Sequence, residues 1–232
     1  MRITEIVKIR DYDPSENLES VRLKFGNLPK SRWQKIPGDN PFYRANVEYY
    51  GSPTVIVALN YAREMPKSPW YVVGALITEK SPKIDNYYNQ NVYSVMSIGV
   101  EPEMRGQGIA RHLYDGYLLP PPDGLDSILF SGDSQTTGGR AMWTNLKSRP
   151  DIEVTGYVKV PNWMPEYSDQ QMITFFNKVG GAYLGHLGTD WYFEFPVEKL
   201  PNKRELEIAI KGSGVKVYSG NAETGLMARY LG

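Results

Sequence analysis

Apolar residues in this chain fall into short runs and short stripes. TVIVALNYA (54–62) and WYVVGALITE (70–79) are β-branched and apolar, with the turn REMPKSP between them, and they predict an antiparallel hairpin. NVYSVMSIGV (91–100) follows a polar loop, KSPKIDNYYNQ. Its apolar residues occur on both faces, the pattern of a buried central strand. From Ile109, the set Ile109, Leu113, Tyr114, Tyr117 and Leu118 recurs at i, i+4, i+5, i+8 and i+9, one face of a helix that Pro120-Pro121-Pro122 stops. SILFS (127–131) is a short buried strand, and GDSQTTGGRAMWTNLKSRPD predicts a loop and then a helix closed before Pro150.

The flanks are less regular. MRITEIVKI predicts a first strand, and Asp13-Pro14-Ser15 a helix start with Leu18, Val21, Leu23 and Phe25 as its apolar positions. The stretch 27–50 is expected to be irregular because Pro29, Pro37 and Pro41 interrupt it. Later, EVTGYVKV (153–160) and WYFEFPV (191–197) are strand-like, and SDQQMITFFNKVGG predicts a helix with Ser168 as N-cap and Gly180 at its end. KRELEIAIKG fits helix or strand, and GVKVYSG fits a strand. The order predicts one mixed α/β domain over residues 1–232, with elaborations at both ends.

Composition narrows the chemistry. Lys plus Arg number 26 and Asp plus Glu number 26, which argues against a broad electrostatic grip on nucleic acid. There is no cysteine, so disulfides, thiolate metal sites and a Cys nucleophile are excluded. Only His112 and His186 are present, too few for a multi-histidine zinc centre. The N-terminal stretch lacks the apolar region of a signal peptide and no apolar run reaches the length of a membrane span, so the expected location is the cytoplasm, without membrane partners.

The segment between strand and helix carries the candidate chemistry. In EPEMRGQGIARH, Gly106 and Gly108 stand at the start of the predicted helix. The first amides of a helix have no partner inside it, and with the macrodipole they favour an anion. Glycines let a phosphate approach the backbone, and Arg105 adds charge and directed donors. A Walker A loop requires Lys-Ser/Thr after its last glycine, which is missing, and the third glycine of a dinucleotide fingerprint is replaced by Arg111.

SIGVEPEMRGQGIA closely resembles the acetyl-coenzyme A signature of the GNAT-type N-acetyltransferases, an apolar strand followed by V-x-P-x-x-R/Q-x-x-G-x-G/A. Arg105-Gly106-Gln107-Gly108-Ile109-Ala110 matches its second half, and Val100 and Pro102 its first. The resemblance covers about residues 54–160. It implies an α/β fold of GNAT-like type: a mixed, mostly antiparallel central sheet with a splayed central strand pair and flanking helices. It implies acetyl-CoA as cofactor, with Ile98, Gly99 and Val100 binding the pantetheine arm and thioester carbonyl, and residues 105–110 the pyrophosphate. The implied activity is an acetyl-CoA-dependent N-acetyltransferase, in which an amine of a protein or small molecule attacks the thioester directly.

One departure bears on catalysis. The family's usual acid is a Tyr on the helix after the fifth strand, and here that register holds Trp143, whose indole does not titrate and whose plain reading is core packing. Tyr157, Ser134 and Tyr114 remain as candidate acids, and Glu101, Glu103 and Asp133 as candidate bases. His112 is expected on the polar, surface side of its helix, and Trp163 and Tyr167 are candidates to line an acceptor pocket. SGDSQTTGGRAMW also resembles blocks in GNAT-like proteins of tailed bacteriophages, which adds a host protein, a virion component or a nucleobase to the acceptors. Two alternatives therefore stand beside the acetyltransferase: a GNAT-fold binding or structural phage protein without turnover, and a nucleobase-modifying enzyme.

Overall fold

The hairpin predicted at 54–79 is the middle of a much larger sheet. The computed structural model describes residues 14–39, 41–60, 69–81, 90–131, 137–160, 168–187, 190–202, 204–206, 208 and 223–232. The strands predicted at MRITEIVKI and GVKVYSG, together with Asp133, Ser134, Trp163 and Tyr167, lie outside these residues.

Helix α1 (Pro14–Phe25) comes first, then β1 (Gln34–Lys35), β2 (Phe42–Tyr49), β3 (Ser52–Asn60), β4 (Trp70–Ser81) and β5 (Asn91–Val100). Helix α2 (Ile109–Leu118), β6 (Ser127–Phe130), α3 (Thr137–Lys147), β7 (Ile152–Val160) and α4 (Asp169–Lys178) follow. β8 (Ala182–Leu187), β9 (Asp190–Phe195) and β10 (Glu223–Tyr230) complete the set. Among the described residues, ten strands form one sheet in the order β1-β2-β3-β4-β5-β6-β10-β7-β9-β8. Every pairing is antiparallel except β5 with β6, which is parallel.

This architecture corrects the predicted fold class. Among the described residues a ten-stranded mixed sheet dominates and helices are few, in place of a GNAT-like sheet framed by flanking helices. The reason lies in the stretches taken for elaborations, because they supply strands to the same sheet. FYRANVEY, expected to be irregular, forms β2 and pairs with β3 along its whole length. Its alternation is hidden by Arg44, a charged residue only 5% exposed. ETGLMARY forms β10, which inserts between β6 and β7 and pairs with eight residues of β7.

Apolar side chains pack on both faces. Leu18, Val21 and Phe25 of α1 pack with Ile56, Ala58, Val72 and Ala75 on one face. Ile109, Leu113, Tyr114 and Tyr117 of α2 pack with Val55, Val57, Val73 and Leu76 on the other. Helix α2 sits very close to the sheet. A Cβ on Gly74 would lie 2.6 Å from Ile109 Cγ2, and one on Gly116 2.7 Å from Val55 Cγ1. Glycine on the strand and glycine on the helix therefore fix how near the helix approaches, and with it the position of the turn that precedes the helix.

Candidate functional site

Among the described residues, β5 pairs with β6 through Asn91–Ser94, and no described strand pairs with its second edge beyond that point. A bulge explains the departure. On β4, Ile77 pairs with Ser97 and Thr78 with Val95, so Met96 is an extra residue on β5. Bulges bend and twist the strand that carries them. Tyr93 and Val95 pack on the α2 face, and so do Ile98 and Val100, because the inserted Met96 restores the phase; Met96 itself is 59% exposed. This slip is what reads in sequence as apolar residues on both faces.

The bulge also orients the backbone. The Glu101 amide donates to the Val73 carbonyl at 2.9 Å. Bonding residues alternate along an antiparallel ladder, so Gly99 and Ser97 turn their backbone groups to β4. Ile98 and Val100 turn theirs to the other edge, where β6 is no longer alongside.

After β5, Pro102–Met104 makes a single 3₁₀ turn and the chain enters α2 through Gly106 and Gly108. Both glycines are left-handed, at φ +82° and +80°. A residue with a Cβ would lose roughly 1–2 kcal/mol in that conformation. A Cβ at Gly106 would meet nothing within 4 Å, and one at Gly108 only His112 Nε2 at 3.9 Å, so the space before the helix is open. Gly108 caps α2 without any side-chain hydrogen bond. The His112 amide is the first to bond, to the Gly108 carbonyl at 3.1 Å. Those of Ile109, Ala110 and Arg111 precede it and have no helical acceptor.

These features share a cavity of about 1030 Å³. Ile98, Val100, Glu101, Arg105, Gly106, Gly108, Ile109 and Ala110 all line it, which brings together most of the residues singled out in sequence. Gly99 is buried on the strand and Gln107 is exposed, reaching the Glu103 carbonyl at 3.5 Å; neither forms the wall. Tyr157 lies elsewhere, buried with its ring stacked on Phe130 and its hydroxyl donating to the Ser131 carbonyl at 2.9 Å. Tyr114 is buried, its phenol pushed upward by burial, and it meets Trp143 edge-to-face at 5.9 Å. Trp143 is 3% exposed and belongs to the core. His112 is half-buried against Phe42, not on the open surface, and burial lowers its pKa.

Other parts of the wall had not been singled out. Asn145 and Ser148 come from α3 and its end, and Arg149 follows them. The Arg149 guanidinium bridges Asp115, a buried carboxylate, and Asp151, to which its Nε and Nη2 donate at 3.0 and 2.6 Å. The Asp151 bonds are the largest influence holding Arg149 above its usual range, and the same bonds hold the Asp151 carboxyl low. Leu18, Glu19 and Arg22 come from α1, which packs on the opposite face of the sheet from α2. The cavity therefore passes around the free end of β5 from one face to the other. Glu101 is not free there, since Arg22 holds its carboxylate and the Tyr71 hydroxyl reaches it at 3.4 Å. Burial, reinforced by Glu101, raises the Tyr71 phenol.

The sequence did carry a signal for Arg22. Leu18, Val21, Arg22 and Phe25 stand at i, i+3, i+4 and i+7, so a charge sits on the buried stripe of α1, whereas Leu23 is 76% exposed. Charges on such a stripe are buried only with partners. Among the described residues no group of His, Asp and Glu is arranged to hold a metal, and no helix is long and apolar enough to cross a membrane. Compared with protein-family models and with curated proteins, the chain matches none.

Proposed function

We propose that the cavity binds a coenzyme A thioester and that the protein transfers its acetyl group to an amine. The observation that carries this reading is the meeting, in one cavity, of a left-handed glycine turn before free helix amides and an unpaired strand edge. At about 1030 Å³ it lies at the upper limit of small-molecule sites, roughly 300–1,000 Å³, and so suits a long ligand. The turn fits a pyrophosphate: space is open over both glycines, Ile109 and Ala110 with their unbonded helix-start amides line it, and Arg105 and Arg111 stand beside it.

Each part of the wall then has a task. The amides of Ile109 and Ala110 and the Arg105 guanidinium hold phosphate oxygens. The backbone edge of Ile98 and Val100 offers an amide donor to a carbonyl oxygen, and fixed donors there stabilise charge that develops during attack. Ile98, Val100 and Met142 keep the reacting end apolar. Acetyl-CoA supplies the activated acetyl group as a thioester. Glu101 would take one proton from the incoming ammonium and pass it to solvent, and the second proton that the nitrogen sheds would go to the departing thiolate as the amide bond replaces the carbon–sulfur bond.

Calorimetric titration with acetyl-CoA, followed by thiol release with a panel of amines, tests this. Saturable binding and amine-dependent thiol release are expected. Absence of binding at millimolar acetyl-CoA would overturn the reading. A second reading, a binding module without turnover, is favoured by the burial of Trp143 where an acid is usual. Binding with no thiol release from any amine would select it.

A further inference from the structure

The guanidinium of Arg22 is held from several sides. Nη1 meets Glu19 Oε2 at 2.6 Å, Nη2 meets Glu101 Oε2, and Nε donates to the Val72 carbonyl at 3.2 Å. Its carbon lies 4.3 Å from the centre of the Tyr71 ring. The side chains of Arg22 and Glu101 are 21% and 19% exposed, and both line the cavity on the α1 side. Two carboxylates, a carbonyl and an aromatic face around one charge make a niche shaped for a cation. With two carboxylates to one guanidinium it keeps a net negative charge. The other end of the same cavity carries Arg105 and the start of α2, with Arg111 and Arg149 held by Asp115 and Arg149 also by Asp151, so positive charge there comes chiefly from Arg105 and the helix start. A single cavity thus sorts charge along its length.

We propose that the acceptor is a cationic amine that replaces the Arg22 guanidinium on Glu101, and that Arg22 is a built-in competitor keeping Glu101 occupied until the acceptor arrives. The inference rests on the acyl-transfer reading of the cavity. Replacement exchanges one cation for another, so Glu101 is never left as a lone half-buried charge, the situation that makes breaking such a pair costly. Arg22, once displaced, retains Glu19 three residues before it on the same helix. An acceptor bearing a carboxylate would bring a third negative charge to a niche in which Arg22 offsets only one of two carboxylates. The exchange also places the acceptor's ammonium against Glu101, which follows Val100 at the end of β5, so the same contact that recognises the cation removes its proton.

Binding of n-butylammonium and of 4-aminobutyrate, a similar chain ending in a carboxylate, is measured by calorimetry on the wild type, Arg22→Gln and Arg22→Lys, with acetyl-CoA titrated into each sample. The Gln variant is expected to bind n-butylammonium about tenfold more tightly than the wild type, the worth of one charge-assisted bond no longer competed for. The Lys variant, which keeps the charge but not the fork, falls between them and carries the test if the Gln variant does not fold. Adding Glu101→Gln removes the gain, and 4-aminobutyrate binds none of them. No gain in either variant overturns the proposal. So does tighter binding of 4-aminobutyrate than of n-butylammonium by the wild type, lost with Arg22→Gln, since Arg22 would then be an anchor for a carboxylate. The acetyl-CoA titration separates the two claims. Loss of that binding with the cation gain intact removes the acyl-transfer reading and leaves the niche; the reverse removes the niche and leaves the reading.

Discussion

Two helices of this protein begin in opposite ways. Helix α4 begins at Ser168, whose amide and hydroxyl both donate to Gln171 Oε1, at 2.9 and 3.3 Å. A similar closure is repeated at Asn202 and Glu205, which exchange amide-to-side-chain bonds at 2.9 Å in both directions. Helix α2 begins at a left-handed glycine with no side-chain cap and leaves its first amides open to a cavity. Closing a helix start contributes about 1 kcal/mol. The chain takes that stabilisation in its C-terminal half and forgoes it at the start of α2, which faces the cavity. The start of α4 is finished by its own side chains, whereas the start of α2 leaves its amides for the phosphate proposed above.

Substitutions at the open start break this contrast most strongly. Gly108→Val forces a β-branched residue into φ +80° and fills the space over the amides. Acetyl-CoA affinity is expected to fall about 100-fold or more, since strain and lost phosphate bonds add. Calorimetry measures it, and unchanged affinity would remove the pyrophosphate from this turn. Arg105→Ala comes next. Its side chain is exposed, so losing one charge-assisted contact is expected to weaken binding about tenfold, with a smaller loss at high salt. A salt-independent defect would show that Arg105 acts through the turn's conformation.

The open start was legible in sequence because its causes are local. Two glycines, an arginine and the apolar face from Ile109 to Leu118 stand within a few residues of one another. What escaped was made by distant partners. β10 is a strand because β6 and β7 leave room between them, and Gly225 is accommodated there because a Cβ would lie 2.5 Å from the Tyr157 ring. The Met96 bulge shows only as a slip of phase in the apolar pattern, read instead as a strand buried on both faces. Arg44 and Arg22 are charged residues in buried settings, and their partners come from 79 residues away in each case, Asp123 and Glu101. The expectation of a GNAT-like sheet failed for the same reason: the central hairpin and helix were read correctly as local units, but the strands that join them into ten were set by pairing across the whole chain.

The closed start gives the complementary test. Ser168→Ala removes a hydroxyl from the cap of α4 and is expected to lower stability by about 0.5–1 kcal/mol, a fall in Tm of a few degrees, with acetyl-CoA affinity unchanged. Any loss of affinity would mean that the two helix starts are not independent.

The smallest effect sharpens the contrast through pH. His112 is the first residue of α2 whose amide finds a helical acceptor, and burial lowers its pKa, with Asp115 opposing and Arg111 and Arg44 reinforcing the shift. The folded chain therefore takes up its proton later than the unfolded chain as pH falls. Stability from this group is full above its ordinary value, about 6.5, and is lost as pH drops through the folded pKa. A cation in the first turn also opposes the helix dipole, which acts in the same direction. Phosphate bound at the open start reverses that environment, because it places negative charge beside the imidazole. The Tm gain from acetyl-CoA should accordingly increase modestly between pH 7 and 5.5 in the wild type, and by less in His112→Gln. Thermal unfolding across that range, with and without acetyl-CoA, measures the difference. Equal slopes in the two proteins would show that the imidazole does not sense what occupies the helix start.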